Sequence, residues 1–221
     1  MASLIEYFKV SAAKRDYTIA MVTHNSARLL TAFFGICGYG RVLVPVNFRL
    51  SRDEVAYIVA HSGARVLFVD PELVDSLEGI PCEHTFVLGD DANLFEASGS
   101  PTPWSEPDEN ATATINYTSG TTARPKGAMI SHANLMYQMR AAEVLAPMRR
   151  GMKTVSFLPL CHIAERNGTL AYPLRFGNIV HFPESSATVA QDLREVAPDT
   201  VFAPPRFWEK MYSQVEITME E

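Results

Sequence analysis

Three short runs, each apolar at nearly every position and each separated from the next by a segment of helical period, constrain the first third of the chain to a parallel sheet covered on both faces. The runs are Ile19-Ala20-Met21-Val22, Val42-Leu43-Val44-Pro45-Val46 and Val66-Leu67-Phe68-Val69. Consecutive apolar side chains point to opposite faces of a strand, so both faces must be buried, as happens where βαβ crossovers lay helices on each side. Between the first two runs, Asn25 or Ser26 can cap a helix with Leu30, Phe33, Phe34 and Cys37 at i, i+3, i+4 and i+7, ended by Gly38 and Gly40. Between the second and third, Ser51-Arg52-Asp53-Glu54 has the form of a capping box, followed by Val55, Ile58, Val59 and Ser62 on one face and Gly63 as the stop. The turn after the first run, Thr23-His24-Asn25-Ser26, lacks the glycines of a dinucleotide-binding Rossmann turn. The reading is an α/β fold of repeated β-α units, with mostly parallel sheets layered with helices.

Residues 1–89 form a first α/β lobe on this pattern. From Asp90 to Asn110 the chain carries six acids and no base, with Pro101, Pro103 and Pro107, the composition of a solvated linker. A second lobe occupies 111–221. It opens on a strand over Thr114 to Tyr117 and continues with a helix capped by Ser131 that turns Leu135, Met139 and Ala142 inward. A strand over Lys153 to Phe157 and another over Asn178 to Phe182 follow, then a capping box Thr188-x-x-Gln191 before a helix carrying Val189, Leu193, Val196 and Ala197, and a strand over Thr200 to Ala203. Pro204-Pro205-Arg206 starts a last helix whose Trp208, Met211, Tyr212 and Val215 share one face, expected to be core.

The stretch that carries chemistry is Ile115-Asn116-Tyr117-Thr118-Ser119-Gly120-Thr121-Thr122-Ala123-Arg124-Pro125-Lys126-Gly127. Thr118, Ser119, Thr121 and Thr122 around Gly120 let a tight backbone present N–H and hydroxyl donors to phosphate oxygens, and Lys126 and Arg124 add positive charge. The run departs from the P-loop pattern: Pro125 stands where the second glycine belongs, and Gly127 follows the lysine instead of Ser or Thr. Ala128-Met129-Ile130 reads as a strand, so the loop joins strand to strand and has no helix N-terminus to offer. The expected phosphate-binding residues are Thr118, Ser119, Gly120, Thr121, Thr122 and Lys126. Further on, Leu158-Pro159-Leu160-Cys161-His162-Ile163-Ala164-Glu165-Arg166 places polar groups directly after a buried strand. On the residues alone His162 reads as a satisfied buried histidine, and Glu165 with Arg166 as a local ion pair.

The run Tyr117 to Gly127 resembles the phosphate-binding signature of the adenylate-forming superfamily, which includes acyl-CoA synthetases, luciferases and peptide-synthetase adenylation domains. Ala123 departs from it, standing where the family usually has glycine or serine, and stiffens the loop. Val44-Pro45-Val46-Asn47 and His61-Ser62-Gly63-Ala64 are similar to the N-terminal scaffold of acyl-CoA synthetases, Asn47-Phe48-Arg49-Leu50 to medium-chain members, and Leu158 to Arg166 and Pro205 to Lys210 to long-chain ones. The resemblance implies an AMP-forming fatty-acid–CoA ligase: a carboxylate attacks ATP to give acyl-AMP and pyrophosphate, and coenzyme A then takes the acyl group, with Mg²⁺ on the phosphates. It places His162 in the acyl and adenylate pocket, with Arg206 as a second candidate, and it implies fatty acid and ATP as small-molecule partners. The family's Y-G-x-T-E segment, T-G-D aspartate, hinge arginine and C-terminal lysine are not found after Pro205. The expectation is therefore an incomplete N-terminal AMP-binding domain without its mobile C-terminal domain. It has no complete catalytic set and is inactive alone, or is completed by a separately encoded C-terminal portion; the other reading is a non-catalytic nucleotide-binding or interaction module.

Composition narrows the partners. Nineteen basic against 25 acidic residues give a net charge of −6, which disfavours nucleic acid and anionic membrane surfaces. Glu6 and Lys9 interrupt the apolar core a signal peptide needs, and Leu29 to Val46 is broken by glycines, Arg41 and Pro45, so neither reads as an export signal or an integral membrane span. Cys37, Cys82 and Cys161 lack metal-ligand spacing, so no metal site is expected, and they read as reduced thiols of a cytoplasmic protein, at most peripheral to a membrane.

Overall fold

The structure, a computed structural model, describes residues 17–89, 108–118, 124–145 and 148–220. A six-stranded sheet has the order β4-β3-β1-β2-β5-β6. Its strands are β1 (Thr18–Val22), β2 (Val42–Val46), β3 (Ala64–Val69), β4 (His84–Val87), β5 (Thr112–Thr118) and β6 (Lys126–Ser131). The pairings from β4 through β5 are parallel, and β5 with β6 is antiparallel. The sheet thus takes strands from both sides of residues 90–107, which lie outside the described residues, since β5 pairs with β2.

The period of two sorts the apolar runs onto two faces. Ala20, Val22, Val44, Val46, Leu67 and Val69 pack under helix α2 (Arg52–Ser62) with Val55, Ile58 and Val59. Ile19, Met21, Leu43, Val66 and Phe68 pack under α1 (Ala27–Gly38) with Leu29, Phe33 and Ile36. The expected capping box is formed: Ser51 accepts from the Glu54 N–H, Glu54 reaches back to Ser51, and Gly63 closes α2 in the left-handed conformation. On α1 the cap is Ser26, and the most deeply buried side chains are Leu29, Phe33 and Ile36. The face is turned by one residue from the one expected, and this leaves Phe34 and Cys37 beside an apolar cavity. The short edge strand β4, carrying His84 and Thr85, gave no apolar run by which to expect it.

Helix α3 (His132–Leu145) follows β6 and buries Met139 and Ala142 as expected, with Ser131 accepting from the Asn134 N–H at 3.2 Å. A second sheet pairs β7 (Lys153–Val155) with β8 (Ile179–His181) in parallel. Between them run α4 (Ile163–Arg166), a π-helical turn (Asn167–Ala171) and α5 (Tyr172–Phe176).

Three expectations for this region are corrected. Ahead of α6 (Val189–Val196), Thr188 already has helical backbone angles and its side chain caps nothing; its hydroxyl instead donates to Asp192 at 2.7 Å, so no capping box forms. Residues Thr200 to Ala203 make no strand: the Asp199 and Thr200 N–H groups both turn to the Lys153 carbonyl, and Pro204-Pro205 directly afterwards removes two ladder donors. Finally, Trp208, Met211, Tyr212 and Val215 do share a face of α7 (Pro205–Glu220), but all four are exposed, because among the described residues no element covers that face.

Candidate functional site

The loop with the phosphate signature is held by a two-stranded clamp. β5 and β6 run antiparallel in the register Ile115↔Met129, Tyr117↔Gly127 and Thr118↔Lys126. Thr118 and Lys126, the strand ends, are paired and exposed, while Ser119, Gly120, Thr121 and Thr122 lie outside the described residues. Gly127 is required by crowding: a Cβ there would lie 2.8 Å from Ile115 Cγ2 and 3.3 Å from Tyr117 Cζ. The clamp is anchored on α2 by a hydrogen bond of 2.8 Å between Tyr117 Oη and His61 Nδ1, and burial pushes the Tyr117 hydroxyl above its ordinary pKa. Arg124 is spoken for by the same helix, its guanidinium lying 5.2 Å from the centre of the Tyr57 ring. Lys126 is therefore the projecting cation of the clamp.

Because β5 lies parallel to β2, the loop leaves the sheet on the side where β1, β2 and β3 end. This is the carboxyl edge, where ligands of open α/β sheets bind. A cleft of about 390 Å³ opens along it, lined by His24, Phe48, Asp70, Ser156, Glu184 and Val189 among others. His24, Asp70 and Glu72 bring ligand atoms within 4.8 Å of one another. Asp70, however, is already spent on the turn. Its Oδ2 accepts from Thr23 Oγ1 at 2.7 Å and the His24 N–H at 3.1 Å, and its Oδ1 accepts from the Glu72 N–H at 3.1 Å. Burial works to raise its pKa, but these donors together hold the carboxyl below its ordinary value.

Two asparagines, Asn25 with a role other than the expected one and Asn116 with none expected, organise the segment after β7. Asn25, expected as a possible helix cap, leaves that role to Ser26 and staples the Leu158-Pro159-Leu160 turn. Its Nδ2 donates to the Leu158 carbonyl at 2.7 Å and to Ser156 Oγ at 3.0 Å, and its Oδ1 accepts from the Leu160 N–H at 3.2 Å. Asn116, buried in β5, donates to the Cys161 carbonyl at 2.9 Å and accepts from Thr114 Oγ1 at 3.0 Å and from Arg166 Nη2. The available signal was an asparagine inside an apolar strand, where the residue is disfavoured unless its side chain has a purpose.

The Glu165–Arg166 ion pair does not form. Each is buried with partners of its own, because consecutive helical residues point in different directions. Glu165 accepts from Thr169 Oγ1 at 3.1 Å, and burial raises its carboxyl despite this bond and others from Ser156 and the Leu158 N–H. Arg166 reaches Asn116 instead, and burial brings its guanidinium down to about 10. His162 is exposed, not buried: its N–H donates to the Pro159 carbonyl at 3.0 Å and its carbonyl accepts from the Arg166 N–H at 3.1 Å, so the backbone of the residue opens α4. Arg206 is exposed in the first turn of α7. Among the described residues no hydrogen bond joins either one to the Thr118–Lys126 clamp.

Residues 4–220 match the family described as AMP-binding enzyme. The chain belongs to the AMP-binding enzyme family. Among curated AMP-binding relatives, a probable acyl-activating enzyme 16 of Arabidopsis thaliana chloroplasts is 29% identical over 96% of this chain and 34% of its own length. The long-chain-fatty-acid–CoA ligase ACSBG2 of Xenopus laevis is 34% identical over 92% of this chain and 32% of its own. The chain thus spans about a third of the length of these relatives. The N-terminal domain of FACL13 from Mycobacterium tuberculosis superposes with a TM-score of 0.79 at 21% identity, covering 92% of this chain and 54% of that one. The anthranilate CoA ligase AuaEII superposes with a TM-score of 0.76 at 24% identity over 89% and 41%. These structures share the AMP-binding fold. No helix among the described residues is long and apolar enough to cross a membrane.

Proposed function

We propose that the chain supplies the phosphate-holding part of an AMP-forming acid–thiol ligase acting on fatty acids. The observation that carries this reading is the clamp, which sets Thr118 and Lys126 opposite each other at the carboxyl edge of the sheet, at the two ends of the Thr/Ser/Gly loop. The names of the curated fatty-acid–CoA ligase relatives support the substrate class. In the reaction a carboxylate oxygen attacks the α-phosphorus of ATP, the bond to the bridging oxygen breaks, and pyrophosphate leaves with the electron pair. The sulfur of coenzyme A then displaces AMP from the acyl carbon. Neither step needs a covalent enzyme intermediate, so the protein acts by positioning and by neutralising charge.

Here Lys126 neutralises the departing phosphates and Thr118 donates to them. The Tyr117–His61 bond and the close Ile115–Gly127 packing hold the clamp against α2 so that this charge is preorganised. The Thr118 hydroxyl and the Lys126 ammonium fit phosphate oxygens; an ammonium has no lone pair for a divalent ion, and in the His24, Asp70 and Glu72 group Asp70 is already engaged by the turn. When bound, Mg²⁺ supplies charge neutralisation on the phosphate oxygens; the described residues provide no cage for it. His162 and Arg206 are proposed as acyl and adenylate pocket residues. The test is binding of ATP·Mg and of pyrophosphate to the protein. Lys126→Ala weakens both by about tenfold or more, as loss of one charge-assisted contact predicts, and equal affinity in the variant overturns the reading. The 221-residue chain is expected to bind nucleotide without catalysing ATP–pyrophosphate exchange with fatty acids.

A further inference from the structure

β1 and β3 are neighbours in the sheet, and the residues that follow them bring an imidazole and two carboxylates together. His24 follows β1, while Asp70 caps, and Glu72 belongs to, the 3₁₀ turn (Pro71–Leu73) that leaves β3. Among the described residues this is the one group of three such ligands. His24 Nδ1 lies 3.4 Å from Asp70 Oδ2 and 3.9 Å from Glu72 Oε2, and the ligand atoms of all three fall within 4.8 Å of one another. A tetrahedral ion with bonds of about 2.0–2.2 Å holds its ligand atoms about 3.3–3.6 Å apart. The His24–Asp70 pair is already at that spacing. Glu72, with 81% of its side chain exposed, closes the remaining gap by a rotamer change. The bonds that occupy Asp70 leave room for an ion: they take two acceptor positions on Oδ2 and one on Oδ1, of about four that a carboxylate offers. One of these is exchangeable, because Thr23 Oγ1 also lies 3.2 Å from the His24 carbonyl, so its proton can turn there and free a further lone pair on Oδ2. The backbone donors that stay orient the carboxylate, as outer-shell bonds do around metal ligands.

We propose that His24 Nδ1, Asp70 and Glu72 bind one zinc ion, with water in a fourth position that opens onto the cleft. All three residues line that cleft, and three protein ligands with an open place is the arrangement of zinc sites that admit a further ligand; closed structural sites use four. The donor set selects the ion. Imidazole with carboxylates suits zinc, whereas magnesium asks for near-octahedral oxygen and keeps several of its waters, so this site is distinct from the Mg²⁺ on the phosphates. Charge agrees: two carboxylates and a neutral imidazole bring a bound dication to neutrality. Glu184 adds a third acid to the cleft, while the guanidinium of Arg49 is drawn over the Phe48 ring at 5.2 Å. The His24 ring in turn packs on Phe48, with 4.3 Å between ring centres. No local spacing marks the site in the sequence, because its ligands come from the ends of two strands, with His24 and Asp70 46 residues apart. On the sheet, β1 lies two strands from β5, about 10 Å at about 4.8 Å per strand, and the proposal does not rest on the phosphate reading of the clamp.

The test uses the 221-residue chain stripped of metal. Zinc is titrated by calorimetry against a competing chelator, and Co²⁺ serves as the spectroscopic probe. One zinc binds per chain, and Mg²⁺ in large excess does not displace it. Bound Co²⁺ gives the intense visible bands of a four- or five-coordinate ion without the near-ultraviolet band of a cobalt–thiolate bond, which excludes Cys37, Cys82 and Cys161 as ligands. His24→Phe keeps a ring against Phe48 but lacks Nδ1, and it weakens zinc by at least about tenfold, since even outer-shell partners of a metal are worth that much. Glu72→Gln, at an exposed position, keeps the melting temperature of the metal-free protein and also weakens zinc. Zinc raises the melting temperature of the wild type and leaves that of His24→Phe unmoved. If the ring substitution disturbs the turn, Glu72→Gln decides alone. The proposal is overturned if zinc does not bind, if Mg²⁺ displaces it, if either variant binds zinc as the wild type does, or if the cobalt spectrum shows a thiolate ligand.

Discussion

The guanidinium of Arg166 donates to the Oδ1 of Asn116, tying the start of the π-helical segment to the strand that delivers the phosphate loop. The same asparagine holds the Cys161 carbonyl at 2.9 Å, so one side chain fixes both the turn after Pro159 and the helix that follows. The consequence is mechanical: β5 cannot shift along its axis without disturbing the 158–166 segment.

Asn116→Ala is therefore expected to cost about 2–3 kcal/mol, because it strands the half-buried Cys161 carbonyl and deprives a buried cation of its acceptor. Urea unfolding measures this directly. Asn116→Ser, which can still accept a bond from Thr114 or Arg166 but cannot reach both partners, should fall between the two. Equal stability of the alanine variant and wild type would show that the contact contributes nothing net.

Glu165 gives a dependence on pH. Burial raises its carboxyl above the ordinary value in the folded state. The folded state then holds the proton more tightly than the unfolded one, whose glutamate titrates near about 4.3. The contribution is fully present below that pH and is lost as pH rises through the raised folded value. Glu165→Gln, which keeps the shape but not the charge, should gain stability relative to wild type at pH 7 and show little difference near pH 4. Unfolding midpoints of both proteins across that range check the sign; a constant offset between them would contradict it.

Much of this arrangement could be read from the sequence where local chemistry and tertiary packing agree. The Ser51–Glu54 box and Gly63 specified α2 almost to the residue, and the doubly apolar runs specified β1, β2 and β3, because each signal depends on neighbours close in the chain. The phase of α1 was missed by one position, since its burial is set by the sheet beneath and α3 across the cavity, neither of which is local. The stripe on α7 was periodic yet exposed: period reports which residues share a face, not whether anything covers it. In the site, the two strands of the clamp were legible from the apolar runs on either side of the loop, Thr114 to Tyr117 and Ala128 to Ile130. The roles of Asn25 and Asn116 were not, because each joins segments some 45 or more residues away along the chain.

Gly127→Ala tests the clamp. The added Cβ would meet Ile115 Cγ2 at 2.8 Å, and in a paired strand that side chain has little room to retreat. A cost of about 1–3 kcal/mol is expected, with a loss of nucleotide affinity because the Thr118↔Lys126 pairing is displaced. In a double-mutant cycle Ile115→Ala, which removes Cγ2, should lower the added cost of Gly127→Ala. If the glycine variant is as stable as wild type, the strands tolerate a wider separation than the register implies.

The exposed face of α7 predicts behaviour in solution. Trp208, Met211, Tyr212 and Val215 lie along one side of a sixteen-residue helix, with exposed Phe202 just before it. Contiguous apolar surface of this kind favours association, so the 221-residue chain should scatter more light as its concentration rises and should bind a hydrophobic dye while folded. Met211→Lys with Val215→Glu places an i, i+4 pair of opposite charge on that face. The pair should suppress both signals and leave the unfolding midpoint within about 0.5 kcal/mol of wild type, since neither side chain is buried. A large fall in stability on making this double change would mean that the face is covered in the folded protein.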